Sequence, residues 1–131
     1  MTTVLVVDDE PLIAMALEAA LEDAGYRVAT AANGRQGLER LAEAPRPDLV
    51  LLDMMMPVMN GPAMLAAMAA DPALRGIPVV VLSSLPPEAI RARVGEGVAA
   101  ILLKPCTAEQ VLEAIARALG GAREAGTGSG I

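Results

Sequence analysis

The sequence predicts an α/β protein built as a doubly wound, five-stranded parallel sheet, five strand–helix units in succession. Three observations carry that expectation. The runs VLVV, LVLL and VVVL are apolar throughout rather than alternating, as strands covered on both faces require. Between them lie segments whose apolar residues recur at helical spacing. The chain has 131 residues, 54% of them apolar, which suits one domain with a core that needs no staple.

Residues 4–7 are apolar, mostly β-branched, and end in acids, so they read as a buried strand. Pro11 stands where a first helical residue is favoured. Leu12, Ile13, Leu17, Ala20 and Leu21 then recur at helical spacing, and Gly25 is the expected stop. Residues 27–31 read as a second strand. Asn33-Gly34 opens a helix bearing Leu38 and Leu41, which Pro45 and Pro47 close. Residues 49–52 form an apolar strand ending in Asp53, followed by the loop MMMPVMNG. Residues 62–70 are helical, with Met64, Leu65 and Met68 on one face. Residues 77–82 are a strand ending in Ser83-Ser84. Residues 87–94 form a short helix, and 99–103 form the last strand, ending in Lys104-Pro105. Thr107 caps a final helix with Glu109 and Gln110 in its first turn and Val111, Leu112, Ile115 and Leu119 along one face. Gly120 and Gly121 are its expected stop. The division expected is a domain over 1–120 and a disordered tail over 121–131.

Composition excludes several functions. Tyr26 is the only aromatic residue, which argues against base stacking. A net charge of −6 argues against a nucleic-acid backbone as partner. There is no His and one Cys, so the commonest catalytic base, a disulfide and Cys-cluster metal sites are absent. The longest apolar runs, 98–103 and 62–70, are far short of the roughly 20 residues a membrane span needs. The N-terminus lacks the basic start of a signal peptide. A soluble, cytoplasmic protein with no membrane or nucleic-acid partner is expected.

In a doubly wound sheet, ligands bind beyond the carboxyl ends of the strands. Asp8, Asp9 and Glu10 follow the first strand, Asp53 the third, Ser83 and Ser84 the fourth, and Lys104 the fifth. Each has an ordinary reading alone. The acids after residue 7 suit a helix N-terminus, Asp53 and the serines suit turns, and Lys104 suits a solvated surface. Met54, Met55 and Met56 suit core filling, and Cys106 a small buried hydrophobe. Convergence on one edge favours a site. Carboxylates without His or Cys form a hard oxygen site suited to Mg²⁺. Three aspartates balance Mg²⁺ and Lys104 in charge, and metal, lysine and hydroxyl are the parts that stabilise a transferring phosphoryl group.

The segments VLVVDDE, LVLLDMMMPVMNG, VVVLSS and ILLKP, in this order and spacing, resemble the receiver domain of two-component response regulators from about residue 3 to residue 119. The resemblance implies a flavodoxin-like, CheY-like sheet of order 2-1-3-4-5. It implies Asp53 as phosphoacceptor and Asp8 and Asp9 as the acidic pair that binds Mg²⁺ together with Asp53. Met55 falls where a backbone carbonyl is a metal ligand. Ser83 matches the switch hydroxyl and Lys104 the lysine that pairs with the phosphoryl group. Pro105 matches a proline preceded by a cis peptide. The implied partners are a histidine kinase or phosphotransfer protein as donor and a downstream protein on the face of the fourth helix, fifth strand and fifth helix. The chain would act as a phosphoacceptor signalling domain rather than an enzyme, catalysing only its own phosphotransfer and dephosphorylation.

Departures from the family pattern modify these expectations. Ile101 stands where an aromatic residue usually couples to the switch hydroxyl. The last strand carries no charge, which points to a monomer or weak dimer and an apolar partner face. Met55 and Leu85, two residues past Asp53 and Ser83, cannot orient a water, so slow to moderate autodephosphorylation is expected. Only 12 residues follow Leu119, so the chain reads as a stand-alone receiver or one excised from a larger protein. Two other readings compete: a phosphorylation-independent module of the same fold, and a metal-dependent phosphohydrolase. The second lacks an acid soon after Asp53 and a capping insertion. No G-x-G-x-x-G or P-loop motif supports nucleotide binding.

Overall fold

Unbroken apolar runs bury both faces of a strand, and here they form the centre of a parallel sheet. The protein is described by a computed structural model over residues 2–95 and 97–127, with side chains described as far as residue 120. The elements are β1 (Thr3–Val7), α1 (Pro11–Asp23), β2 (Arg27–Ala31), α2 (Gly34–Leu41), β3 (Leu49–Asp53), α3 (Gly61–Ala70), β4 (Val79–Ser83), α4 (Pro87–Val94), β5 (Ala100–Leu103) and α5 (Ala108–Thr127). The sheet order is β2-β1-β3-β4-β5 and every pairing is parallel. All residues of β1, β3 and β4 are buried, whereas β2 and β5, each paired on one side only, are mostly half-buried.

Alternate residues divide the core in two. Leu5, Val7, Val50, Leu52, Val79 and Val81 pack with Leu41, Met64, Met68 and Ile90 from α2, α3 and α4. Val4, Val6, Leu49, Leu51, Val80 and Leu82 pack with Leu21, Val111 and Ile115 from α1 and α5. This two-sided covering leaves the strand ends as the place where polar groups can gather.

Local signals set the helix ends. Gly25, at φ 98°, follows the α1 cap Ala24. Its N–H donates to the Glu22 carbonyl and that of Tyr26 to the Leu21 carbonyl, the paired bonds of a Schellman stop. Asn33 and Asn60 cap α2 and α3 by accepting from the Gln36 and Ala63 amides. Thr107 Oγ1 accepts the Gln110 N–H while Gln110 Oε1 accepts the Thr107 N–H, a reciprocal capping box.

Several boundaries differ from the sequence expectation. β4 begins at Val79 rather than residue 77. The Ile77 amide is taken by the Leu74 carbonyl, and Pro78 has no N–H to offer a ladder. α3 starts at Gly61 and β5 at Ala100, one residue away from expectation in each case. α5 does not stop at Gly120 and Gly121 but continues to Thr127. Each glycine costs about 1 kcal/mol against alanine in a helix, and the Ala, Arg and Glu residues at 122–125 are strong helix formers. Of the tail expected over 121–131, residues 121–127 are thus helical and 128–131 lie outside the described residues. Among the described residues no helix is long and apolar enough to cross a membrane.

Val58, in the loop after β3, adopts φ 65°. A β-branched residue is strained there by about 1–2 kcal/mol, and its side chain is exposed, so little packing offsets that cost. Val58→Asn is expected to stabilise the protein by about 1 kcal/mol. A higher urea midpoint at unchanged slope would show it.

Candidate functional site

Parallel strands of unequal partners end on one edge, and four of these ends carry polar residues. Asp8 leaves β1 with its amide bonded to the Ala31 carbonyl of β2. Asp53 is the last residue of β3 and pairs with Leu82 of β4. Ser83 closes β4, and its carbonyl accepts the Lys104 N–H at 2.7 Å, which holds Lys104 just past β5.

The carboxylates of Asp8, Asp9 and Asp53 have oxygens within 4.8 Å of one another. Asp8 and Asp53 are buried and Asp9 is exposed. Lys104 Nζ lies 3.1 Å from Asp53 Oδ1, an ion pair with a hydrogen bond. Asp8 Oδ1 accepts the Glu10 N–H at 2.9 Å, but Asp8 Oδ2 is buried without a partner. A buried, unpaired carboxylate oxygen is costly. Its presence beside two further carboxylates, in a group made of carboxylates alone, fits a hard divalent cation.

The electrostatics agree. Burial pushes the Asp8 carboxyl above its ordinary range, the Glu10 amide partly opposes this, and the charge of Asp53 adds to the rise. Burial pulls the Lys104 ammonium down, but its hydrogen bond to Asp53 and the charges of Asp53, Asp8 and Glu10 more than offset this, leaving it raised. Lys104 is therefore a cation throughout the neutral range, and its pairing is lost only as pH rises past its raised value.

Ser83 is buried, and its Oγ accepts the Leu85 N–H at 2.9 Å. No described hydrogen bond uses its hydroxyl proton. The Lys104–Pro105 peptide is cis. Met55 is 70% exposed beside the acids, while Met54 is buried in the core and Met56 is half-buried. Ile101 pairs with Val81 and packs on the core cluster that α2, α3 and α4 cover. Burial raises the Cys106 thiol, and Lys104 only partly counters it, so no reactive thiolate stands at the site.

Gly61 is a supporting residue that the spacing of acids does not reveal. Its N–H donates to the Met54 carbonyl, and a Cβ there would lie 2.8 Å from both the Asp53 carbonyl oxygen and Met54 Cα. The Asn-Gly pair in the loop motif signals a turn, but nothing in the sequence says what the turn packs against.

A carboxyl raised on folding penalises the folded state once ionised. For Asp8 the penalty is absent below the ordinary value of 3.8 and full above the raised folded value, so metal-free stability gains from this group as pH falls from 7. Asp8→Asn is accordingly expected to stabilise the metal-free protein by about 1 kcal/mol at pH 7. The advantage should vanish on acidification toward the ordinary carboxylate range. The variant should also lose most of any rise in melting temperature caused by Mg²⁺. Urea melts across pH, with and without Mg²⁺, measure both effects.

A family model for the response regulator receiver domain matches residues 4–116. PilH of Pseudomonas aeruginosa is 34% identical over 122 residues, covering 92% of this chain and all of PilH. The sensory/regulatory protein RpfC of Xanthomonas campestris is 41% identical over 115 residues, covering 86% of this chain but 16% of RpfC. The sensor histidine kinase TmoS of Ectopseudomonas mendocina is likewise matched over only 11% of its length. Among solved structures, the chemotaxis response regulator CheY4 of Vibrio cholerae superposes with a TM-score of 0.84 at 34% identity, covering 91% of this chain and 99% of CheY4.

Proposed function

The chain belongs to the response regulator receiver domain family, and from that premise we propose that Asp53 accepts a phosphoryl group with Mg²⁺ held by Asp8, Asp9 and Asp53. Receivers are signalling domains of two-component systems rather than classical enzymes, and they interact with histidine kinases. The donor proposed here is a histidine kinase, a phosphotransfer protein or a small acyl or amido phosphate. The lack of His means that this chain supplies no phosphohistidine of its own.

One observation carries the reading: Asp53 stands between a cation, Lys104 at 3.1 Å, and two further carboxylates within 4.8 Å. Asp53 is the nucleophile, and its carboxylate oxygen forms the new bond to phosphorus. Asp8, Asp9, Asp53 and the Met55 carbonyl would hold Mg²⁺, which would neutralise the acids and supply charge stabilisation for the transferring oxygens. Lys104 exchanges its carboxylate partner for a phosphoryl oxygen. The free proton of the Ser83 hydroxyl donates to another. That bond draws Ser83 and the segment beginning at Leu85 toward the site, shifting the population of α4 and β5 conformations. Ile101 replaces the usual aromatic reporter with an aliphatic one, and the output is a contact with a downstream protein on the face of α4, β5 and α5. That face is not the apolar one expected from β5 alone, because Arg91, Gln110, Glu113 and Arg117 stand around Ala100 and Leu102. The domain acts as a monomer or weak dimer in the cytoplasm.

Incubation with acetyl phosphate and Mg²⁺ should add one phosphoryl group to the intact mass, and chelation should abolish the gain. A folded, Mg²⁺-binding protein that gains no mass from either acetyl phosphate or phosphoramidate would contradict the proposal and favour a phosphorylation-independent module.

Met55 and Leu85 are apolar at the positions flanking the water's approach, so the acyl phosphate should persist for minutes or longer. Met55→Asn should shorten its lifetime about tenfold, on the order of one positioned hydrogen bond. The decay of the phosphorylated mass after donor removal measures both, and a wild-type lifetime of seconds would refute the expectation.

A further inference from the structure

We propose that a groove between α1 and α5 receives the aliphatic chain of acyl phosphates longer than acetyl phosphate, making the domain selective for such donors. The groove has a volume of about 640 Å³, within the range of small-molecule sites. Leu12 and Leu17 of α1, Leu82 of β4, Val111 of α5, and Pro105 with Cys106 form its apolar wall. Among the described residues of that wall Lys104 is the one that carries charge, and its ammonium lies 3.1 Å from Asp53 Oδ1. The groove and the acidic site therefore share a residue.

That layout matches an amphiphilic anion with its charge at one end. A phosphoryl group at Lys104 and Asp53 leaves an attached acyl chain beside the groove, where it covers Leu12, which is 80% exposed. The step is balanced without a proton. Asp53 oxygen bonds to phosphorus as the bond from phosphorus to the bridging oxygen breaks. The electron pair departs on that oxygen as the carboxylate of the free fatty acid. The inference rests on Asp53 being the acceptor.

The test uses the full chain with Mg²⁺ and a series of acetyl, propionyl, butyryl and hexanoyl phosphate, with second-order rate constants read from intact mass against time. Rates are expected to rise about twofold to fourfold per added methylene, the factor supplied by partial to full burial of one CH₂. Ala16 also lines the groove and is exposed on α1. Ala16→Trp should flatten the series while leaving the acetyl phosphate rate unchanged. A flat or falling series in the unaltered protein, with acetyl phosphate reactive, overturns this inference alone. A rise that stays as steep in Ala16→Trp also overturns it. No transfer from any donor overturns the acceptor reading with it.

Discussion

Asp53→Asn is expected to take up no phosphoryl group from any donor, a loss of at least about a thousandfold in rate. The amide has almost the shape of the carboxylate, and its oxygen can still accept from Lys104 Nζ, now 3.1 Å from Asp53 Oδ1. It is not a nucleophile toward phosphorus. The buried neighbour Asp8 loses one like charge, so the metal-free fold should be retained with stability changed by no more than about 1 kcal/mol. Circular dichroism and urea unfolding check the fold, and intact mass checks the uptake. Uptake at the normal rate would move the acceptor to Asp8 or Asp9, which share the same 4.8 Å cluster.

Gly61→Ala should be strongly damaging although it touches none of the acids' side chains. The added Cβ would stand 2.8 Å from the Asp53 carbonyl oxygen, 2.8 Å from Met54 Cα and 2.9 Å from Met54 Sδ. A flexible thioether can turn aside, but two of these atoms are backbone of the acceptor residue and its neighbour. Relief therefore requires the end of β3 or the start of α3 to move. Overpacking of this kind costs about 2–3 kcal/mol, and the shift should also slow phosphoryl transfer. Gly76→Ala serves as the control, because a Cβ there meets nothing within 4 Å and the backbone is not left-handed. It should change stability by no more than about 0.5 kcal/mol. Equal stability of the two variants would mean that Gly61 exerts no such constraint.

The acidic edge was legible because a parallel sheet converts order along the chain into position. Each apolar strand delivers its next residue to the same edge, so the order of the chain alone groups Asp8, Asp53, Ser83 and Lys104. Their distances could not be read so: the 3.1 Å contact of Lys104 with Asp53 depends on the turn taken after β5. The unpartnered Asp8 Oδ2 is a matter of burial from several elements at once. Gly61 shows the same limit, since Asn-Gly reads as a turn whether or not backbone lies against it. The groove joins residues 12–17 to residues 104–111, a separation that no local pattern spans. Helix ends fared according to the strength of the local alternative. Gly25 stops α1 because its own amide and that of Tyr26 find helix carbonyls. Gly120 and Gly121 do not stop α5, which continues to Thr127.

The most direct test of the account is where the phosphoryl group resides. Borohydride reduces an aspartyl phosphate to homoserine, so treatment of the Mg²⁺- and acetyl phosphate-exposed protein marks the acceptor for peptide sequencing by mass spectrometry. Homoserine at position 53 alone is the predicted result. Homoserine elsewhere, or a phosphorylated protein in which position 53 remains aspartate, would contradict it.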